Sequence, residues 1–176
     1  LQREADAVPL ARALVDGGVR VLEVTLRTPV ALAAMRAIVR EVPEAIVGAG
    51  TVRSVADAQA AVDAGCQFAV SPGYTSALGQ ACHQLKLPLL PGVATASEVM
   101  TAQADGYDFL KFFPATAAGG IPLLKAWAGP FPDVAFCPTG GITPQTAAQF
   151  LALPNVKVCG GSWLTPQEAM DAGDWG

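Results

Sequence analysis

Short apolar, β-branched stretches recur along this chain at intervals of about 20 to 25 residues, with alanine-rich segments of helical period between them. The candidate strands are residues 19–26, 45–50, 67–71, 87–91, 108–113, 134–138 and 156–160. That interval is the span of one strand plus one helix. Strands separated by helices pair in parallel, because a parallel crossover needs about a dozen residues or more. Seven strands at so even a period predict an α/β chain of the (β/α)8 TIM-barrel type rather than an open sheet. The chain opens on a helix at about residues 2–16 and ends without a long one. The expectation is therefore one (β/α)-barrel domain over 1–176, with the first strand and last helix missing from the sequence.

The helical segments carry their own signals. Over 29–41, Val30, Ala33, Ala34, Ile38 and Val39 are expected to form the buried side, with Arg36, Arg40 and Glu41 away from it. Pro29 suits a first turn, and Gly17–Gly18 closes the opening helix.

Composition narrows the function. The 176 residues are 52% hydrophobic and only 15% charged, so much surface must be hidden within the fold or against copies of it. Acidic residues outnumber basic ones 15 to 11, for a net charge of −4, which disfavours a nucleic-acid partner. No apolar run approaches the roughly 18 residues of a membrane span, and no signal peptide opens the chain. A cytoplasmic protein without membrane contact is expected. Cys66, Cys82, Cys137 and Cys159 are scattered and read as reduced thiols that pack as small hydrophobes. The one histidine, His83, sits on an amphipathic segment as a solvated position. No metal-ligand set is in view.

Strands covered on both faces should be almost wholly apolar, and four places break that rule. In the first, 23–28, alternation puts Glu23, Thr25 and Arg27 on one face. Enclosing a carboxylate and a guanidinium costs several kcal/mol per ion, at order of magnitude, unless they pair or bind something. They read either as an internal ion pair or as substrate-facing groups at the strand end where barrel enzymes work. The second is Lys111, between Phe109, Leu110, Phe112 and Phe113. It is either a snorkelling surface lysine or a desolvated amine, and desolvation favours the neutral, nucleophilic form that imine formation requires. The third is 48–52, where glycines permit close approach and Thr51 offers a hydroxyl. The fourth is a pair of glycine steps, 140–141 and 160–161, after the last two strands, where barrels commonly hold phosphate.

The stretches ValLeuGluValThrLeuArgThr, GlyAlaGlyThrVal, PheLeuLysPhePheProAla, PheCysProThrGlyGlyIle and GlyGlySerTrpLeu, in this order, resemble the 2-keto-3-deoxy-6-phosphogluconate (KDPG) and 4-hydroxy-2-oxoglutarate (KHG) aldolase family. The resemblance runs over essentially the whole chain. It implies a class I aldolase, a homotrimer, that needs no metal or other cofactor beyond its own lysine imine and cleaves a phosphorylated keto acid. By the same resemblance Lys111 is the Schiff-base lysine and Glu23 the acid/base. Arg27 and Thr51 hold the pyruvate carboxylate, and Thr139 lies near the site. Phe113 packs beside the imine, and Pro91 and Gly92 line the mouth. Gly140, Gly141, Gly161 and Ser162 form the phosphate cradle. Three other readings stand beside it: an aldolase of the galactonate series, a sugar-phosphate isomerase or epimerase, and a family-derived oligomeric scaffold with incidental catalysis.

Overall fold

The computed structural model describes residues 1–175, which fall into two compact units. The first comprises residues 1–71, 80–89 and the segment from 164 onward; the second comprises 72–79 and 90–163. Both are α/β, as the alternating sequence pattern predicts.

In the first unit a 3-10 turn at Glu4–Asp6 leads into α1 (Ala7–Asp16). Gly18 adopts a left-handed φ of 89°, which ends α1 where the glycine pair predicted. Next come β1 (Val21–Thr25), α2 (Ala31–Glu41), β2 (Ile46–Gly50), α3 (Val55–Asp63) and β3 (Phe68–Val70). β1 pairs with β2 and β2 with β3, both in parallel. The register sets Leu22 beside Val47 and Val24 beside Ala49, and these four side chains are buried. Ser54 caps α3 by accepting from the Asp57 amide at 3.1 Å.

On α2 the buried stripe is Ala31, Ala34, Met35 and Ile38, at the i, i+3, i+4, i+7 spacing of one helix face. Of the five residues expected on that side, Ala34 and Ile38 are buried, whereas Val30, Ala33 and Val39 are half-buried. The stripe is turned because the small residues Ala31 and Ala34 let the helix lie close to β1 and β2. Arg36, Arg40 and Glu41 are exposed, as expected.

α4 (Ser76–Gln84) and β4 (Leu89–Leu90) follow, β4 standing fourth in the first sheet beside β3. His83 is exposed on α4. The expected strand 87–91 is thus shorter and is followed by a separate one, β5 (Gly92–Val93), which belongs to a second sheet. Pro88 and Pro91 lack the N–H that a continuous ladder would use.

The second sheet runs β5, β6 (Phe109–Phe112) and β7 (Ala135–Pro138), all parallel. Between them lie α5 (Ala96–Ala104) and α6 (Gly120–Trp127), and α7 (Pro144–Leu151) follows. Thr95 and Glu98 form a reciprocal capping box at the start of α5. The core of this unit is aromatic. Trp127 meets Phe112 edge-on at 5.3 Å between centroids, Phe131 at 6.3 Å, and Phe136 in a tilted contact at 5.4 Å. The expected strand 156–160 is reduced to two bridges, Val156 to Phe136 and Gly160 to Thr139. The last element is a six-residue helix, α8 (Gln167–Ala172), within the first unit.

The four cysteines are unbridged thiols. Burial pushes the Cys66 thiol up to about 11, and it lies 3.5 Å from the Met35 sulfur. Among the described residues no helix is long and apolar enough to cross a membrane.

Candidate active site

Each unit carries its own set of the residues singled out above, at the C-terminal ends of its strands. In the first unit, Glu23 stands in register with Gly48, and Gly48 with Phe68, across three parallel strands. Side chains in one register row share a face. The glycines make room on that face: a Cβ at Gly50 would collide with the Glu23 carboxyl, and one at Gly48 would enter the Phe68 ring. Glu23 therefore rests over β2 with its carboxyl leaning toward the strand's C-terminal end.

Two expectations need correction here. Glu23 and Arg27 are exposed rather than enclosed. The helices of this unit cover the Leu22–Val24 face, whereas the Glu23 face is open, with Val21 59% and Ile46 43% accessible. The desolvation penalty argued from the sequence therefore does not apply to either charge in this unit. Arg27 donates from Nε to the Thr51 hydroxyl at 3.0 Å. A guanidinium has five N–H donors, so this bond orients the group and leaves it able to take a carboxylate.

Thr51 is held at φ 61°. A β-branched residue in the left-handed region is strained, and such strain gathers where a side chain must be aimed. The backbone on either side explains how it persists. Leu26 donates to the Gly50 carbonyl at 2.8 Å, and Val52 donates to Val70 at 3.1 Å. Thr51 is thereby fixed between the ends of β1 and β3.

In the second unit Lys111 is only 5% accessible. Its register neighbours are Gly92 on β5 and Cys137 on β7. Leu110 and Phe112, on the opposite face of β6, are fully buried in the aromatic core. The Lys111 Nζ lies 5.0 Å from the centre of the Phe113 ring. Pro91 is fully buried and its carbonyl accepts from the Lys111 amide at 2.8 Å. Pro91, just before β5, and Gly92, its first residue, thus flank the lysine.

The Phe113 ring continues the series toward the glycines, since a Cβ on Gly140 would come within 3.4 Å of it. Gly140 and Gly141 are both left-handed, at φ 99° and 74°. Thr139 pairs with Gly160, which brings the two glycine steps side by side. A Cβ on Gly160 would stand 2.5 Å from the Thr139 hydroxyl. Gly161 lies under the Trp163 ring, where no Cβ fits. Gly161 and Ser162 are exposed and lie in an irregular turn. They do not open a helix directly, because α8 starts only at Gln167.

Two residues in these settings were not singled out from the sequence. Ser71, just past the end of β3, is completely buried, and a hydroxyl there signals nothing in a sequence. Thr116 holds the Gly140 carbonyl, with its hydroxyl and its amide each 3.1 Å away.

Comparison with known proteins completes the picture. The sequence profile of the family described as KDPG and KHG aldolase matches residues 1–176. A 2-dehydro-3-deoxy-phosphogluconate aldolase of Pseudoalteromonas atlantica is 54% identical over 169 residues, covering 96% of this chain and 79% of that protein. A KHG/KDPG aldolase of Escherichia coli is 55% identical over the same shares. Among solved structures, a KDPG aldolase from Legionella pneumophila, with pyruvate captured at low pH as a covalent carbinolamine intermediate, matches with a TM-score of 0.97. It is 50% identical, and the match covers 99% of this chain and 85% of that one.

Proposed function

Because the chain belongs to the KDPG and KHG aldolase family, we propose that it is a class I lyase that cleaves 2-keto-3-deoxy-6-phosphogluconate to pyruvate and glyceraldehyde 3-phosphate. Cleavage of 4-hydroxy-2-oxoglutarate to pyruvate and glyoxylate runs through the same imine. The observation that carries the reading is Lys111, a buried amine on β6 against the Phe113 ring. Lysine is rarely enclosed without a task.

The chemistry assigns each group a step. The Lys111 amine adds to the C2 ketone, and loss of water from the carbinolamine gives an iminium. The C3–C4 bond then breaks, its electron pair moving into the iminium to form an enamine. Glu23 accepts the C4 hydroxyl proton as the aldehyde leaves. Protonation of the enamine at C3 and hydrolysis of the imine release pyruvate and restore the lysine. The iminium supplies the electron sink, so no metal or other cofactor is required. Arg27, oriented by Thr51, takes the substrate carboxylate as a planar fork.

Phe113 packs beside the imine, and Pro91 and Gly92 hold the lysine's backbone. Thr139, Gly140, Gly141, Gly161 and Ser162 receive the phosphate, left-handed glycines being suited to presenting successive amides to an anion. In this reading residues 1–176 act as one catalytic domain in the cytoplasm. The low charged fraction and exposed apolar side chains such as Met100 and Leu151 suit a homo-oligomer, a trimer in this proposal.

Borohydride reduction with pyruvate, followed by peptide mass mapping, tests it. The expected result is a single reduced pyruvyl adduct on Lys111. Folded protein that gives no adduct would remove the imine mechanism.

A further inference from the structure

The backbone past the ends of β6 and β7 stays paired: Thr139 donates to Phe112 at 2.9 Å, Ala115 to Thr139 at 2.8 Å and Thr116 to Gly140 at 3.1 Å. At that last rung a side chain joins in. The Thr116 hydroxyl donates to the same Gly140 oxygen, also at 3.1 Å. A carbonyl oxygen has two lone pairs, and Thr116 engages both. The contact is also steric. A Cβ on Gly141 would stand 2.6 Å from the Thr116 Oγ1 and 2.8 Å from its Cβ, so the Gly141 α-carbon is pressed against this side chain.

Two consecutive left-handed glycines make a peptide that rotates easily, and glycine offers no side chain to stop it. The Gly140 carbonyl and the Gly141 N–H belong to one planar trans unit and point in opposite directions. Anchoring the carbonyl on Thr116 therefore aims that N–H away from Thr116. Taking as given the reading that these glycines receive the phosphate, we propose that Thr116 is a positioning residue for phosphate recognition. It locks the Gly140–Gly141 peptide in its anion-receiving orientation and so sets the preference for phosphorylated over unphosphorylated keto acids. Thr116 touches no reacting atom in this role.

Thr116→Val keeps the shape and the amide bond but removes the hydroxyl, so the peptide loosens without being released. Thr116→Ser restores the donor. The enzyme is assayed with the phosphorylated six-carbon substrate, with 4-hydroxy-2-oxoglutarate, and with inorganic phosphate as a competitor. The valine variant is expected to raise KM for the phosphorylated substrate, and the inhibition constant of phosphate, about three- to tenfold. Its kcat, its KM for 4-hydroxy-2-oxoglutarate and its rate of pyruvate trapping on Lys111 stay unchanged, and the serine variant returns to parental values. A parent enzyme sensitive to phosphate with an indifferent valine variant would overturn the role of Thr116. Equal losses on both substrates would make Thr116 merely structural and overturn it too. A parent that forms the pyruvate adduct yet ignores phosphate would overturn the cradle itself, and the role of Thr116 with it.

Discussion

The two units are built from the same alternation of strand and helix but from different side chains. The first fills its interior with alanine: Ala34, Ala49, Ala58, Ala61 and Ala69 are at most 1% accessible. The second fills its interior with rings, among them Phe112, Trp127, Phe131, Phe136 and Phe150. Small side chains allow helices to press close to a sheet, so the first unit is intolerant of added volume. Large rings interdigitate at a distance, so the second is intolerant of lost volume. The contrast reaches the chemistry. Glu23, the proposed acid/base, rests over glycines of β2 and is exposed, whereas Lys111 is a buried amine on an aromatic scaffold.

Perturbing that contrast should produce effects of graded size. Lys111→Met should lower cleavage about 10⁴-fold or more while far-ultraviolet circular dichroism is unchanged. Glu23→Gln should lower kcat about 10²- to 10⁴-fold, since an exposed acid/base is partly replaced by water. A steady-state assay of pyruvate release orders the two; a larger loss at Glu23 would invert the assignment. Within the cores, Trp127→Ala should destabilise by about 3–5 kcal/mol through the cavity it leaves. Ala34→Leu should destabilise by about 1–3 kcal/mol through overpacking. Urea denaturation measures both, and an alanine site that accepts leucine freely would end the distinction.

A last effect is in pH. Burial raises the Cys66 thiol to about 11 in the folded chain, against an ordinary value of 9.0. Above pH 9 the unfolded chain sheds that proton while the folded chain keeps it, so the unfolded state binds fewer protons and stability falls as pH rises. Denaturation midpoints should decline between about pH 9 and 11. Cys66→Ala should decline less steeply over that window.

The sequence disclosed the alternation, the parallel pairing and Lys111 because each is a matter of contrast: β-branched runs against alanine-rich ones, a cation against phenylalanines. It disclosed less where position depends on neighbours. The break between β4 and β5 follows from prolines whose effect is felt only when a partner strand seeks their missing N–H. On α2 the reading found Ala34 and Ile38 but not Ala31 and Met35, because which apolar side chains face the sheet depends on how the helix is rolled against it. Thr116 carried no signal at all, since a threonine among alanines in a loop becomes meaningful only opposite Gly140. Glu23 was placed correctly on its strand but wrongly inside, because alternation gives the face and not what covers it.

Gly48 and Gly50 give β2 an unusual genetic position. Alanine is the smallest step away from glycine and is ordinarily harmless in a strand. Here, at Gly50, the new methyl would occupy the place of the Glu23 carboxyl, and at Gly48 that of the Phe68 ring. A carboxylate on a flexible stem can swing aside, so a Gly50→Ala protein can fold normally and still have the carboxylate proposed as its acid/base displaced. Such a lesion would leave every reactive group in the sequence intact, and an inventory of those groups would pass it as sound.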